Sequence, residues 1–549
     1  MESPLRFSSC RGVSFEIKPH SNPFGVPASI TSINHELQGS KRNWIPWNQE
    51  SLSRRLYSSI RRSESRPSGH FCDYEFEATG DENGASLQGL LEEGNGKENE
   101  ILIQSNISIE KQPKAAGRKE SRLAIILLDQ GLFTVYKRLF VLCLTLNVIG
   151  LVLAATGNFP YARNKAALFS IGNVFSLTLC RSEALLRVIF WVTVKVIGRS
   201  WVPLPIKTAT TSLLQSLGGI HSGCGVSSVI WLTYALVLAL KDTENISPEI
   251  IAVTSSILSL LFVSSLSAFP LVRHLHHNVF ERTHRFAGWA ALGLLWAFIM
   301  LKTSYDPKTK SYKDKLGSDL VKQEEFWFTS AITILIALPW LTIRCVPVSV
   351  SSSSGHASVI KFQGGVKAGI MGRISPSPLS EWHAFGIISD GKTGHMMLAG
   401  AVGDFTNSLV TKAPSHLWVR QVYFAGLPYL VNLYERVLLV ATGSGICVFL
   451  SFLLQPCRAA VRVLWVTKGI EQNYGTEIKD MISRHPSNKV IVHDTAVLGR
   501  PNVSEMSVEA AREWGAEVVI VTSNPEGSRD VVGACKANGI PAFGPIWDS

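Results

Sequence analysis

At 549 residues the chain is too long for one small domain, and two or three folded units are expected. Only 17% of residues are charged and the mean hydropathy is +0.18, which excludes an ordinary soluble composition and points to long apolar segments. The formal net charge of +11 is accounted for by basic residues beside those segments and in the N-terminal tail, so no nucleic-acid partner is called for. Nine cysteines run from Cys10 to Cys535 without a Cys-x-x-Cys pair, which argues against a structural zinc site or a disulfide framework and fits a reduced compartment.

Residues 1 to about 120 are rich in Ser, Gly, Asn and charge and hold no long apolar run, the composition of a disordered tail. The Ser- and Arg-rich first part followed by the acidic stretch Asp73 to Glu100 resembles an organelle transit peptide, against which Glu2, Glu16 and Glu36 count. There is no early apolar run of the kind a secretory signal carries.

Apolar spans follow at about 138–156, 166–198, 217–240, 249–270, 284–301 and 326–346, each reaching or approaching the roughly 20 residues that cross a bilayer. Arg181, Glu183 and Arg187 interrupt the second, which reads either as one long tilted helix or as a broken pair. The expectation is a bundle of about six transmembrane helices with the lipid bilayer as its partner and both ends on one side. Lys137, Arg138, Arg199, Lys207, Arg273, Arg282 and Arg285 mark that side as cytosolic, or stromal if the tail is a transit peptide, while six lysines from Lys302 to Lys322 disagree.

His221 and His284 open the third and fifth spans. Two reversals separate those spans, so they run parallel and place both imidazoles at a similar depth near the cytosolic face. Facing imidazoles at one level would ligate a haem iron from both sides, making His221 and His284 the candidate metal ligands for a haem b. Polar histidines at helix ends in the headgroup region are the alternative. His274, His276 and His277 read as interfacial residues.

From Ser358 to Asn432, short apolar runs such as Ala384 to Ile388 and Leu417 to Phe424 alternate with Gly, Asp and Pro turns, the pattern of a small antiparallel β-barrel. A strand, Val437 to Ala441, then runs into Gly443-Ser444-Gly445 and an apolar helix. Glycines there let backbone N–H groups approach a pyrophosphate at a helix N-terminus. The third glycine of the dinucleotide fingerprint is absent, so an ordinary strand-to-helix turn competes. Further strands at Val461 to Thr467, Lys489 to His493, Glu517 to Thr522 and Pro541 to Phe543 alternate with helical stretches or close the chain, as in a parallel α/β sheet.

Several motifs carry a resemblance in the right order over residues 355–549. His383-Ala-Phe-Gly-Ile is similar to the His-Pro-Phe-Thr flavin motif of the ferric reductase and NADPH oxidase group, within the ferredoxin-reductase superfamily. Val402-Gly-Asp-Phe-Thr-Asn-Ser-Leu resembles its Gly-Asp-Trp-Thr-x-x-Leu, and Gly426-Leu-Pro-Tyr and Gly499-Arg-Pro-Asn also recur. The closer resemblance is to TmpA-type integral membrane proteins, a divergent branch that in some relatives is joined to an adenylate-forming domain.

The resemblance implies a multi-domain membrane protein: a tail (1–120), a transmembrane helical domain (121–346), an FAD-type β-barrel (355–432) and an NAD(P)-type α/β domain (433–549). The implied activity is NAD(P)H-dependent flavin oxidoreduction, with electrons passing to a haem or to a small-molecule electron acceptor. Its implied cofactor-binding residues are His383, Phe385, Gly403, Asp404, Phe405 and Thr406 for FAD, Gly443, Ser444, Gly445, Lys468 and Ser523 for the nucleotide, and Trp547 as a cover for the flavin. No acidic residue follows the second strand, where Lys468 would meet a 2′-phosphate, which favours NADPH over NADH. A solvated strand-end lysine is the alternative.

The chain also departs from the family. Gly386 stands where a hydroxyl faces the flavin, Val448 replaces a proline, and Ser523-Asn524 replace a cysteine and glycine. Positions 234, 235 and 298 are Tyr, Ala and Phe where a second pair of haem histidines is expected, so at most the inner haem remains. These losses motivate a second reading, a non-catalytic membrane protein that binds a nucleotide or flavin to sense or scaffold.

Overall fold

The computed structural model describes residues 134–275, 277–313 and 317–546, together with two short paired strands, Arg6–Ser8 and Ser14–Glu16. The remaining tail and Trp547 lie outside the described residues, as do the side chains of His274, His276 and His277.

The helical half begins with helix α1 (Val135–Ala155), capped by the Thr134 hydroxyl, and α2 (Ala166–Leu179). The second apolar span is a broken pair. Cys180, Arg181 and Ser182 end α2, and the Ser182 hydroxyl caps α3 (Glu183–Ile197), with Glu183 in the first turn where a carboxylate favours the helix dipole. Next come α4 (Leu204–Gln215), α5 (Gly218–Lys241), α6 (Pro248–Ser267), α7 (His277–Ser304) and α8 (Glu324–Leu341). Among the described residues, four helices are long and apolar enough to cross a membrane: α1, α5, α6 and the Val279–Ser304 part of α7. Helix α5 packs on α1, α2 and α6, α7 packs on α6 and α8, and α8 returns to α2, closing a bundle. Helices α3 and α4 stay outside it and pack on the soluble half.

Close helix approach depends on two glycines one turn apart. A Cβ on Gly219 would lie 2.2 Å from the Tyr136 carbonyl oxygen, and one on Gly223 would lie 3.0 Å from that of Phe140. Such small-residue seams let apolar helices gain packing that lipid does not offer. Inside the seam, Asn147 Oδ1 accepts from Trp231 Nε1 at 2.9 Å and from Asn173 Nδ2 at 2.8 Å, so the polar groups of α1, α2 and α5 satisfy one another.

One residue after α8 the barrel starts, at β1 (Ile343–Pro347), earlier than residue 355, because the end of the last apolar run pairs as a strand with His416–Arg420. The rest are β2 (Ser349–Ser354), β3 (Ala357–Gln363), β4 (Ile370–Ser375), β5 (His383–Gly386), β6 (Ile388–Ser389), β7 (Gly394–Gly400), helix α9 (Asp404–Lys412), β8 (His416–Arg420) and β9 (Phe424–Ala425). They form two antiparallel sheets, β6-β7-β3-β2 and β9-β4-β8-β1, with β5 on β4. A 3₁₀ turn, Leu427–Leu433, leads to the α/β domain. There β10 (Arg436–Thr442), β11 (Ala460–Thr467), β12 (Val490–Asp494), β13 (Val518–Thr522) and β14 (Ala542–Phe543) build a parallel sheet of order β12-β11-β10-β13-β14. A barrel is thus followed by a doubly wound parallel sheet, whose strand order reverses between β10 and β13. Val437 to Ala441 are fully buried, as expected for a central parallel strand.

Replacing Gly219 by Ala forces α1 and α5 apart. The expected cost is about 1–3 kcal/mol, read as a lower melting temperature of the detergent-solubilised chain.

Candidate functional site

Two regions gather the candidate residues: a cavity in the bundle and the crevice between barrel and parallel sheet. The cavity has a volume of about 690 Å³, and His221 and His284 both line it. Their ring centroids lie 6.3 Å apart with the planes tilted by 52°. Each ring is held from behind. His221 Nδ1 lies 3.0 Å from the Leu177 carbonyl oxygen at the end of α2, and His284 Nδ1 lies 2.9 Å from the Ser264 hydroxyl on α6. An Nδ1–H donated to a helix oxygen fixes the tautomer that leaves Nε2 as the basic nitrogen, the usual preparation of a metal-ligating imidazole.

Imidazoles bound to opposite faces of one metal, each nitrogen about 2 Å from it, bring the ring centroids to roughly 6 Å. The observed spacing meets that requirement, and the apolar walls supplied by Leu177, Leu261 and Leu295 suit a porphyrin. Arg181 and Arg273 also line the cavity and would meet carboxylates. The residues therefore fit a haem at this level. Among the described residues no cluster of three or more His, Cys, Asp or Glu offers a site for a bare ion.

Phe298 is buried with Leu232, Ile299 and Ile332, while Tyr234 and Ala235 pack around Trp231. Apolar and aromatic side chains fill the positions where a second pair of histidines would stand.

In the crevice, His383 and Phe405 are brought together, their rings stacked at 4.6 Å and 12°. Gly403 caps α9, and Thr406 Oγ1 accepts from the backbone N–H groups of Val402 and Gly403, both at 3.0 Å. Asp404 is exposed in the first turn of α9 and Phe385, on β5, is buried. The hydroxyl expected at position 386 is excluded as well as missing: a Cβ there would lie 2.5 Å from Val448 Cγ1 and 2.8 Å from its backbone N.

The glycine-rich turn is a 3₁₀ segment, Gly443–Val448, and not the first turn of an α-helix. All six of its residues, Ser444 included, are buried. Gly443 takes a positive φ of 50° and its carbonyl accepts from Trp465 Nε1 at 2.8 Å. At the point of strand reversal Thr442 Oγ1 and Ser523 Oγ lie 2.8 Å apart, while the Asn524 side chain caps the helix Pro525–Ala537. Lys468 is exposed after β11. The sequence shows no acid beside it, but the fold brings one: Asp494, at the end of β12, accepts from Gly469 N at 2.8 Å and from Ile470 N at 3.4 Å. Burial raises the Asp494 pKa, but the N–H groups of Gly469, Ala496 and Ile470 outweigh it and hold the carboxyl below its ordinary value.

A cluster that the sequence did not single out joins bundle and barrel. Glu183 at the start of α3 is buried and receives Arg373 Nε from β4 and, at 3.4 Å, Arg420 Nη1 from β8. Arg420 lies 4.8 Å over the Trp382 ring. From α7, Arg285 donates to the carbonyls of Leu379 and Ser380 at 3.0 and 3.1 Å, and Arg282 pairs with Glu381 at 2.7 Å. The one available hint was Glu183 itself, a charge inside an apolar span.

Comparison with known proteins adds similarities over parts of the chain. Residues 427–549 match the family described as the C-terminal domain of adenylate-forming reductase 03009. Adenylate-forming reductase 03009 of Coprinopsis cinerea is 34% identical over 435 residues, covering 77% of this chain and 41% of that protein. Adenylate-forming reductase 06235 of the same organism is 34% identical over 436 residues with the same coverage. The chain thus spans about two-fifths of the length of these relatives. Among solved structures it is similar to a flavohemoglobin from Malassezia yamatoensis with bound FAD and heme (13% identity, 65% of this chain and 97% of that one, TM-score 0.32). It is also similar to phthalate dioxygenase reductase (12% identity, 36% and 68%, TM-score 0.27).

Two outcomes follow from the crevice. Gly386→Ser should lower stability by about 1–3 kcal/mol, because the new Cβ meets the Val448 backbone, in thermal unfolding of the full chain. Asp494 has a depressed folded-state pKa, so its contribution is present above the unfolded value near 4 and lost as pH falls through the folded one. Asp494→Asn should therefore melt earlier than the parent at pH 7, and the difference should shrink as the pH falls below about 4.

Proposed function

We propose that this chain is a membrane-bound oxidoreductase of the ferric reductase and NADPH oxidase branch, TmpA-type. Its ferredoxin-reductase-like module takes reducing equivalents from NAD(P)H and passes them to a single haem near the leaflet on the module's side, or directly to a small acceptor. The observation that carries this reading is the geometry of His221 and His284, two imidazoles at bis-ligation spacing, each oriented by a helix oxygen. The word reductase in the names of both fungal relatives agrees with it.

When bound, haem would supply a one-electron centre, and FAD a centre that accepts a hydride and releases electrons singly. The chain does the rest. His221 and His284 would hold the iron, and Leu177 and Ser264 keep their rings from turning. Phe298, Leu232 and Ile332 close the deep side, so an electron acceptor must be met at the same level or in the aqueous phase beside the module. Glu183, Arg373 and Arg420 lock the barrel against the helices so that the two centres keep a fixed separation. Lys468 would favour NADPH, with Asp494 nearby reducing that preference.

The second reading, a nucleotide or flavin sensor or scaffold, is favoured by one observation: Val448 occupies the space that a side chain at position 386 needs, beside a fully buried glycine turn. An absorption spectrum of the purified full chain separates the two. The oxidoreductase should show flavin bands that bleach with NADPH and a Soret band that shifts on reduction, the latter lost in His284→Ala. A chain with neither chromophore, unchanged by added FAD, haem and NADPH, would sink the first reading.

A further inference from the structure

Helices α3 and α4 leave the bundle and return to it at a single level. Leu177, at the end of α2, bonds His221, at the start of α5, and Tyr136, at the start of α1, lies 2.8 Å from Ser222. The intervening segment therefore emerges and re-enters at one end of the bundle. Under the membrane reading proposed above, that end is one face of the bilayer.

Helix α3 has two apolar faces. Phe190 is buried, and Ile189, Val194 and Ile197 pack with it on the core of the soluble module, where α3 touches β9 and the Leu427–Leu433 turn. The opposite face is exposed: Val188 by 55%, Trp191 by 50%, Val192 by 43% and Val196 by 57%. Trp201, just past the helix, is 78% exposed and Ile206 on α4 is 50% exposed. A soluble module would not leave this stripe to water.

The charges on that face are of one sign. Lys195 and Arg199 are exposed four residues apart, in line with Trp191, and Lys195 Nζ lies 5.0 Å over the Trp191 ring, while Arg187 at the inner edge donates to the Tyr423 carbonyl of the module at 3.3 Å. From Ala184 to Leu217 the sequence contains no Asp or Glu. An apolar stripe with tryptophan and a wholly basic rim is the signature of a helix lying in the plane of a membrane surface, its apolar face in the acyl boundary and its cations among anionic headgroups.

We infer that α3 and the Trp201 corner form an in-plane anchor that binds anionic phospholipid in the leaflet facing the module. The anchor is sandwiched between lipid on one face and the barrel and nucleotide domain on the other, with Glu183 as the clasp to the barrel. Gly198 ends the helix where a Cβ would lie 3.1 Å from the Asn432 carbonyl oxygen, so the helix end sits directly on the module.

The test uses the full chain in nanodiscs of phosphatidylcholine, with or without phosphatidylserine, and a photo-crosslinking phenylalanine analogue at one position at a time. Trp191 and Trp201 are the anchor positions. Val141, exposed on α1, reports a membrane-spanning surface, and Val497, 80% exposed on the nucleotide domain, reports an aqueous one. Lipid adducts are expected at 191, 201 and 141 and not at 497. Adducts at 191 should prefer phosphatidylserine, and Lys195→Glu with Arg199→Glu should lower that preference by about tenfold. No adducts at 191 and 201 while 141 reacts would overturn the anchor alone. No adducts at 141 either would overturn the membrane reading beneath it. Equal labelling of the two lipids would overturn the anionic selectivity.

Discussion

One buried carboxylate, Glu183, holds the two halves of this molecule in register. It lies at the first turn of α3 and takes a guanidinium from each of two neighbouring barrel strands. A lone charge in such a place would cost several kcal/mol, and breaking a buried pair leaves the partner uncompensated. Burial lowers the Arg420 pKa from its ordinary value and Glu183 opposes that shift. The pairing therefore specifies position more than it adds net stability. Because α3 follows α2 after three residues, fixing Glu183 on the barrel also fixes the end of α2, whose Leu177 carbonyl orients His221.

The same chain of dependence connects the cavity to the module from the other side. Helix α7 carries His284 and, one residue on, Arg285, which lines the cavity and bonds the barrel loop at Leu379 and Ser380. Glu281 on the same helix accepts from Arg285 and from the Trp382 backbone N–H. Burial raises the Glu381 pKa, but its backbone and Arg282 hydrogen bonds hold it below the ordinary carboxylate value, which keeps this contact charged at neutral pH. A displacement of the barrel would thus be felt at both histidines.

Sequence patterns revealed the parts of this fold that depend on periodicity and missed those that depend on long-range encounter. The five parallel strands stand within one or two residues of the apolar runs that announce them, since a buried central strand needs a continuous Val, Ile and Leu run wherever it sits. The level shared by His221 and His284 follows from counting reversals. What no pattern discloses is which side chains of different elements meet: Glu183 with Arg373, 190 residues on, Thr442 with Ser523, 81 residues on, or His383 with Phe405 beyond two intervening strands. The second apolar span shows the ambiguity of hydropathy alone. Its latter half is apolar on both faces because it serves a protein core and an exposed surface, not because it spans. The glycine turn reads as the start of a helix, yet it folds as a 3₁₀ segment against the β7 strand, where a Cβ on Gly400 would lie 2.8 Å from Ser444 Oγ.

The packed cluster of Phe298, Leu232, Ile299 and Ile332 has an energetic consequence for the proposed chemistry. An electron carried through a full bilayer works with or against the membrane potential, about 2.3 kcal/mol per charge for every 100 mV. A redox centre confined to the level of His221 and His284, with hydrocarbon beyond it, samples only a small fraction of that field. Turnover would then be electrically silent, and its driving force would come from the nucleotide and the acceptor alone.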